Sequence, residues 1–189
     1  MLTAVTQRAM MMLLAGLLAS CGFQLRGAAP VSAAVQPLAV VCDDPVPLTL
    51  CQAVEDQLRL GDVKMVERAR ADYVLKLSNF NQSRRATAIT RNAIAAEYTL
   101  RQQVSLTVMT ADQVPLVADQ PISSSETYRY DETNILAKQR EQDALTETLN
   151  QRLAQQIIFR LTPLTEARIR ALRNEASQKA TKPDTGKQP

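Results

Sequence analysis

The chain has 189 residues, carries a formal charge of +3 and lacks histidine. Without histidine no Ser-His-Asp or Cys-His catalytic site and no His-ligated metal site can be assembled, so neither an enzyme nor a metal is expected. A 46% hydrophobic, 22% charged composition suits one soluble domain, and the near-balanced charge gives no argument for nucleic acid as a partner.

The first residues read as an export signal. Arg8 closes a short start, and an apolar run from Ala9 to Ala19 follows, too short for a spanning helix of roughly 20 residues. The run ends in Leu18-Ala19-Ser20-Cys21, which resembles the lipobox of bacterial lipoproteins. Residues 1–20 are therefore expected to be a signal peptide, with Cys21 the lipidated first residue of a mature chain of about 170 residues. One acyl chain holds a protein marginally and two or more hold it stably, so a multiply acylated Cys21 anchors the chain to its membrane. The next residue is Gly22 rather than Asp, which by resemblance to the sorting rule of enteric lipoproteins favours the outer membrane.

Residues 21–35, poor in charge and without periodicity, read as a tether, and 36–174 as the folded domain. Pro37 to Cys42 suits a strand buried on both faces, broken by Asp43-Asp44-Pro45. Leu48, Cys51, Val54 and Leu58 fall at helical spacing and predict an amphipathic helix over 46–60, stopped at Gly61-Asp62 by a residue that tolerates positive φ. Cys42 and Cys51, in an export compartment, read as a disulfide pinning that helix to the sheet; two buried thiols are the alternative.

Three extended stretches come next. Tyr73, Leu75 and Leu77 alternate with polar residues, and residues 81–95, with Arg84, Arg85, Arg91 and Asn92, suggest a long hairpin. The clearest alternation sets Tyr98, Leu100, Val104, Leu106 and Val108 inward, with Gln102 the polar exception. The stretch 116–130 is demoted to an edge by Pro121 and ends at Tyr128 and Tyr130. Tyr98 reads as core rather than as a partner-facing anchor; the other two tyrosines stay open between these roles.

From Glu132 to Leu161 the period becomes helical, with Leu145, Leu149, Leu153, Ile157 and Leu161 four apart. Arg168, Arg170 and Arg173 mark a basic segment suited to a further short helix, and residues 175–189 are expected to be disordered. The order β-α-β-β-β-α predicts an α+β two-layer sandwich: a four-stranded, mainly antiparallel sheet with two helices on one face and the other face polar and open.

Several segments resemble the LPS-assembly lipoprotein LptE family: Cys21-Gly22-Phe23-Gln24-Leu25-Arg26-Gly27, Arg91-Asn92 with Ala96-Glu97-Tyr98, and Tyr128 to Thr133 followed by Ile135-Leu136-Ala137-Lys138 and Glu141-Gln142. The similarity spans residues 1–173; the Cys42/Cys51 pair departs from the family pattern. The resemblance implies an outer-membrane lipoprotein seated from the periplasmic side in the lumen of an LptD-type β-barrel, which it plugs and helps assemble. It also implies lipopolysaccharide as ligand, with Arg91 and Lys138 as contacts. Arg84 and Arg85 are weaker candidates, since arginine offers a fork of donors to phosphate. Ordinary solvated charges are the alternative for all four. The rival function is an accessory lipoprotein of another outer-membrane assembly machine.

Overall fold

The computed structural model describes residues 31–89, 95–130 and 135–181. Four strands form one sheet in the order β1-β2-β3-β4: β1 (Leu38–Cys42), β2 (Tyr73–Ile89), β3 (Ala95–Thr110) and β4 (Pro115–Arg129). Helices α1 (Leu48–Leu60), α2 (Ile135–Leu161) and α3 (Glu166–Thr181) complete the α+β fold. The expected sandwich is present, with a third helix longer than the basic segment promised.

The β1–β2 pair is parallel and the other two pairs are antiparallel. A parallel pair needs a crossover, and α1 supplies it. β1 is an edge strand, not one buried on both faces: Leu38 and Ala39 are buried, while Val40, Val41 and Cys42 are half-buried. Its outer edge is partly closed where Leu38 exchanges backbone hydrogen bonds with Lys64 and Val66, which keeps the edge from offering unpaired amides. β4, carrying Pro121, is the opposite edge, where a missing ladder donor is tolerated.

The core lies between the helices and the inner sheet face. Leu75 and Leu77 from β2 and Val104, Leu106 and Val108 from β3 meet Leu153, Ile157 and Leu161 of α2. The buried stripe of α1 is Leu50, Ala53, Val54 and Leu58. This is rotated from the predicted one: Leu48 is exposed and Cys51 half-buried. Helix α1 stops where Asp62, not the glycine before it, takes a positive φ of 54°.

Two boundary expectations are corrected. The end of the expected tether is packed: Val31 and Val35 join the core, and Ser32 caps a short 3-10 helix over Ala33–Val35 by accepting from the Ala34 amide. Valines beside a groove gain more from burial than an uncharged linker gains from hydration. At the other end α3 runs through Thr181, into the stretch expected to be disordered. Its Glu, Ala, Arg, Gln and Lys residues are good helix formers, and Ile169 anchors it in the core.

A bulge in β2 shapes everything beyond the core. Ser78 pairs with Ser105 and Asn81 with Gln103, so Asn79 and Phe80 together face Val104. Asn79 takes φ 53°, which asparagine tolerates, and its side-chain amide donates to the Ser105 hydroxyl at 3.4 Å. Odd-numbered residues of β2 point inward before the bulge and even-numbered ones after it: Gln82 lies opposite Gln102, Arg84 opposite Leu100 and Ala86 opposite Tyr98.

Candidate ligand-binding site

Beyond the main core, the long ends of β2, β3 and β4 meet the first turns of α2 over a smaller cluster: Leu100, Tyr128 and Leu149, with Tyr98, Tyr130 and Leu145 against it. Tyr98 and Tyr128 face each other across β3 and β4 with ring centroids 6.1 Å apart. Tyr130 meets Tyr98 edge-on at 5.3 Å. Such offset and edge geometries match the ring quadrupoles. Tyr128 is buried, whereas Tyr98 and Tyr130 are each half-buried.

Arg84 lies over this aromatic floor, its guanidinium carbon 4.6 Å from the Tyr98 ring centroid. Its Nη1 donates to Gln142 Oε1 at 3.0 Å, and the Tyr128 hydroxyl donates to the same oxygen at 2.9 Å. Hydrogen bonding to Tyr128 holds the guanidinium above its ordinary pKa against a smaller opposing effect of burial, so it is a permanent cation. A cavity of about 230 Å³ opens here, lined by Arg84, Tyr128, Tyr130, Lys138, Gln139 and Gln142. Lys138 Nζ pairs with Glu141 at 2.7 Å along the first turns of α2.

The arrangement is two cations from different elements facing one cavity above aromatic rings. It suits an anionic group attached to an apolar body. Among the described residues no group of three Cys, Asp or Glu gathers to hold a metal ion.

The sequence candidates fall in different places. Lys138 lines the cavity and Arg84 joins it, while Arg85 points to the opposite face of the sheet, where it lines a separate groove. Cys21 and Arg91 lie outside the described residues. Cys42, at the end of β1, is joined by a disulfide to Cys51 in α1, with Cα atoms 6.3 Å apart. Gln142, the shared acceptor of the site, carried no signal of its own beyond its place in the Glu141-Gln142 motif.

Gln102, the polar residue on the inward set, is fully buried. Its amide donates to Gln82 Oε1 at 2.9 Å and to the Thr146 carbonyl at 3.4 Å, tying both strands to α2 next to the aromatic cluster. Glu126 of β4 adds an ion pair to Arg152 of α2.

Comparison with known proteins places this geometry. The family model for LptE, described as lipopolysaccharide-assembly, matches residues 35–161. The chain is 34% identical over 148 residues to the LPS-assembly lipoprotein LptE of Pectobacterium atrosepticum, covering 76% of this chain and 77% of that protein. In fold it is similar to lipoprotein B from Nitrosomonas europaea, with a TM-score of 0.58 at 20% identity over 75% of this chain and 90% of that one. Rare lipoprotein B from Shewanella oneidensis gives a TM-score of 0.52 at 24% identity over 76% and 96% of the two chains.

Proposed function

The chain belongs to the LptE family of lipopolysaccharide-assembly lipoproteins, and from that premise we propose that it binds lipopolysaccharide while plugging an LptD-type β-barrel. In this reading Cys21 carries the lipid that holds the chain to the outer membrane. The domain of residues 36–174, extended by the packed Val31–Val35 segment, enters the barrel lumen from the periplasmic side. Arg91 and Lys138 contact lipid A phosphates, and the barrel assembles around the domain.

The observation that carries this reading is the convergence of Lys138 and Arg84 on one cavity beside Tyr128 and Tyr130. A phosphate sits well between an ammonium and a guanidinium, and the neighbouring rings suit the apolar part of a glycolipid. The polar open sheet face supports the plug role, because the interior of a large transmembrane barrel is polar.

Co-purification tests the proposal. Detergent extraction of membranes carrying the tagged full chain should recover a one-to-one complex with a barrel of LptD type. A chain that purifies alone, or with a different barrel, would transfer the assignment to an accessory of another outer-membrane machine.

A further inference from the structure

The open face of the sheet holds a groove of about 440 Å³, across the sheet from the Lys138 cavity. Its floor is built by the alternation of β2 and β3: Asn81, Ser83 and Arg85 from one, Thr99, Arg101 and Gln103 from the other. Arg85 pairs in register with Thr99, and Arg101 with Ser83. The two arginines are therefore diagonal neighbours on one face, a placement that sets the residues roughly 7–8 Å apart, within reach of long side chains.

Among the described residues no carboxylate lines this groove. Arg101 Nη2 donates to the Ser123 hydroxyl at 3.0 Å, and Arg85 has no ion pair among the described residues. Glu97, on the same face, is already paired with Arg129 at 3.7 Å. Two like charges at this spacing repel unless an anion lies between them. The remaining described lining is hydroxyl and amide, which donates and accepts, with no aromatic or large aliphatic side chain among the described residues.

We propose that this groove is a second ligand site, for the phosphorylated saccharide of a lipopolysaccharide-type glycolipid; the choice of source rests on the family function proposed above. Arg85 and Arg101 fork onto the anionic substituent, and Ser83, Thr99 and Gln103 exchange hydrogen bonds with sugar hydroxyls. The volume falls in the range of small-ligand sites. Within the groove a protein anchor is the poorer fit, because protein interfaces centre on buried aromatic or aliphatic side chains and the described lining offers these no apolar pocket; the polar face around the groove can still meet a barrel wall. With no ring to stack on, binding here is charge-driven and salt-sensitive.

Calorimetric titration of the purified full chain tests it. The probes are the deacylated, phosphorylated core oligosaccharide of lipopolysaccharide, the same oligosaccharide dephosphorylated, and intact lipopolysaccharide. The phosphorylated oligosaccharide should bind the wild type, and the dephosphorylated one at least tenfold more weakly. In a Lys138→Gln background, which removes a cation of the other cavity, Arg85→Gln with Arg101→Gln should weaken oligosaccharide binding at least a further tenfold at an unchanged Tm. Oligosaccharide binding that is absent, or that survives the double substitution, overturns the second site. So does loss of barrel co-purification in the double variant with oligosaccharide binding intact, which would make the face a protein contact. Failure of the family reading shows separately, as intact lipopolysaccharide that binds neither the wild type nor any variant.

Discussion

The guanidinium of Arg84 and the ring of Tyr98 lie 4.6 Å apart on neighbouring strands, and Tyr98 in turn stacks beside Tyr128 of β4. Gln142 Oε1 receives Arg84 and the Tyr128 hydroxyl together, so the strand ends and the start of α2 are joined at a single atom. Tyr128→Phe should therefore lower unfolding free energy by about 1 kcal/mol, the usual net worth of one hydrogen bond. Arg84→Met should cost about 0.5–1 kcal/mol through the lost cation–π contact. Because the two share Gln142, the double variant should deviate from the sum of the singles in urea titrations. Strict additivity would count against a joint role.

Lys138 is held by Glu141 in an exposed pair one turn apart. Such pairs contribute only about 0.2–0.5 kcal/mol. Arg91→Asp with Lys138→Asp is thus expected to lower lipopolysaccharide binding without lowering Tm. Glu141→Gln removes the competitor for the ammonium and should raise that affinity a few-fold. A binding titration in which the double variant equals the wild type would remove Arg91 and Lys138 from the site.

The Cys42–Cys51 bridge closes a loop of nine residues in sequence separation. In the chain-entropy description a loop this short stabilises by about 2.5–3 kcal/mol. Reductant, or Cys42→Ser with Cys51→Ser, should lower Tm by several degrees, and reductant should have no further effect on the double variant. Equal melting curves with and without reductant would show that the bond does not constrain the chain.

Acid stability offers a fourth check. A hydrogen bond from the Thr110 side chain, then one from its own backbone amide and the charge of Arg173, hold the Asp112 carboxyl below its ordinary pKa. A depressed carboxylate adds stability that is fully present above the unfolded value, about 3.9, and is lost as pH falls through the folded one. Asp112→Asn should lower Tm slightly at pH 7, the pair with Arg173 being exposed, and flatten its fall below about pH 4, so that the two proteins converge in acid. A wild-type slope retained in the variant would assign the acid sensitivity to other groups.

The parts of the fold that follow a period were legible in the sequence. The fourfold spacing of α2 from Leu149 to Leu161 and the alternation of β3 from Leu100 to Val108 both match the buried residues, Gln102 included, while Leu145 at the head of the stripe is half-buried. What was not legible depends on partners distant in the chain. The helical stripe of α1 is turned because Leu50 and Ala53, rather than Leu48, face α2 and the sheet. Val31 and Val35 are too few for a pattern, yet they find a place in the core. At the candidate site Lys138 came from family resemblance, whereas Gln142 as a common acceptor needed the register of β4 against α2. Arg84 and Arg85 stand side by side in the sequence, and nothing in their neighbours says which belongs to which face.

That last distinction rests on Asn79 and its bulge. Each strand position alternates strictly, so the count of residues between the core leucines and the arginine doublet acts as a switch with two settings. Were the ladder to run regularly past Ser78 with both Asn79 and Phe80 kept, Leu75 and Leu77 would stay where they are and the doublet would exchange across the sheet: Arg85 opposite Tyr98, Arg84 opposite Thr99 in the open groove. The two surfaces would keep their number of charges, but the inner arginine would sit two positions along β3, opposite Tyr98 instead of Leu100. The bulge thus acts as a sorting device, assigning two chemically identical neighbours to two different tasks.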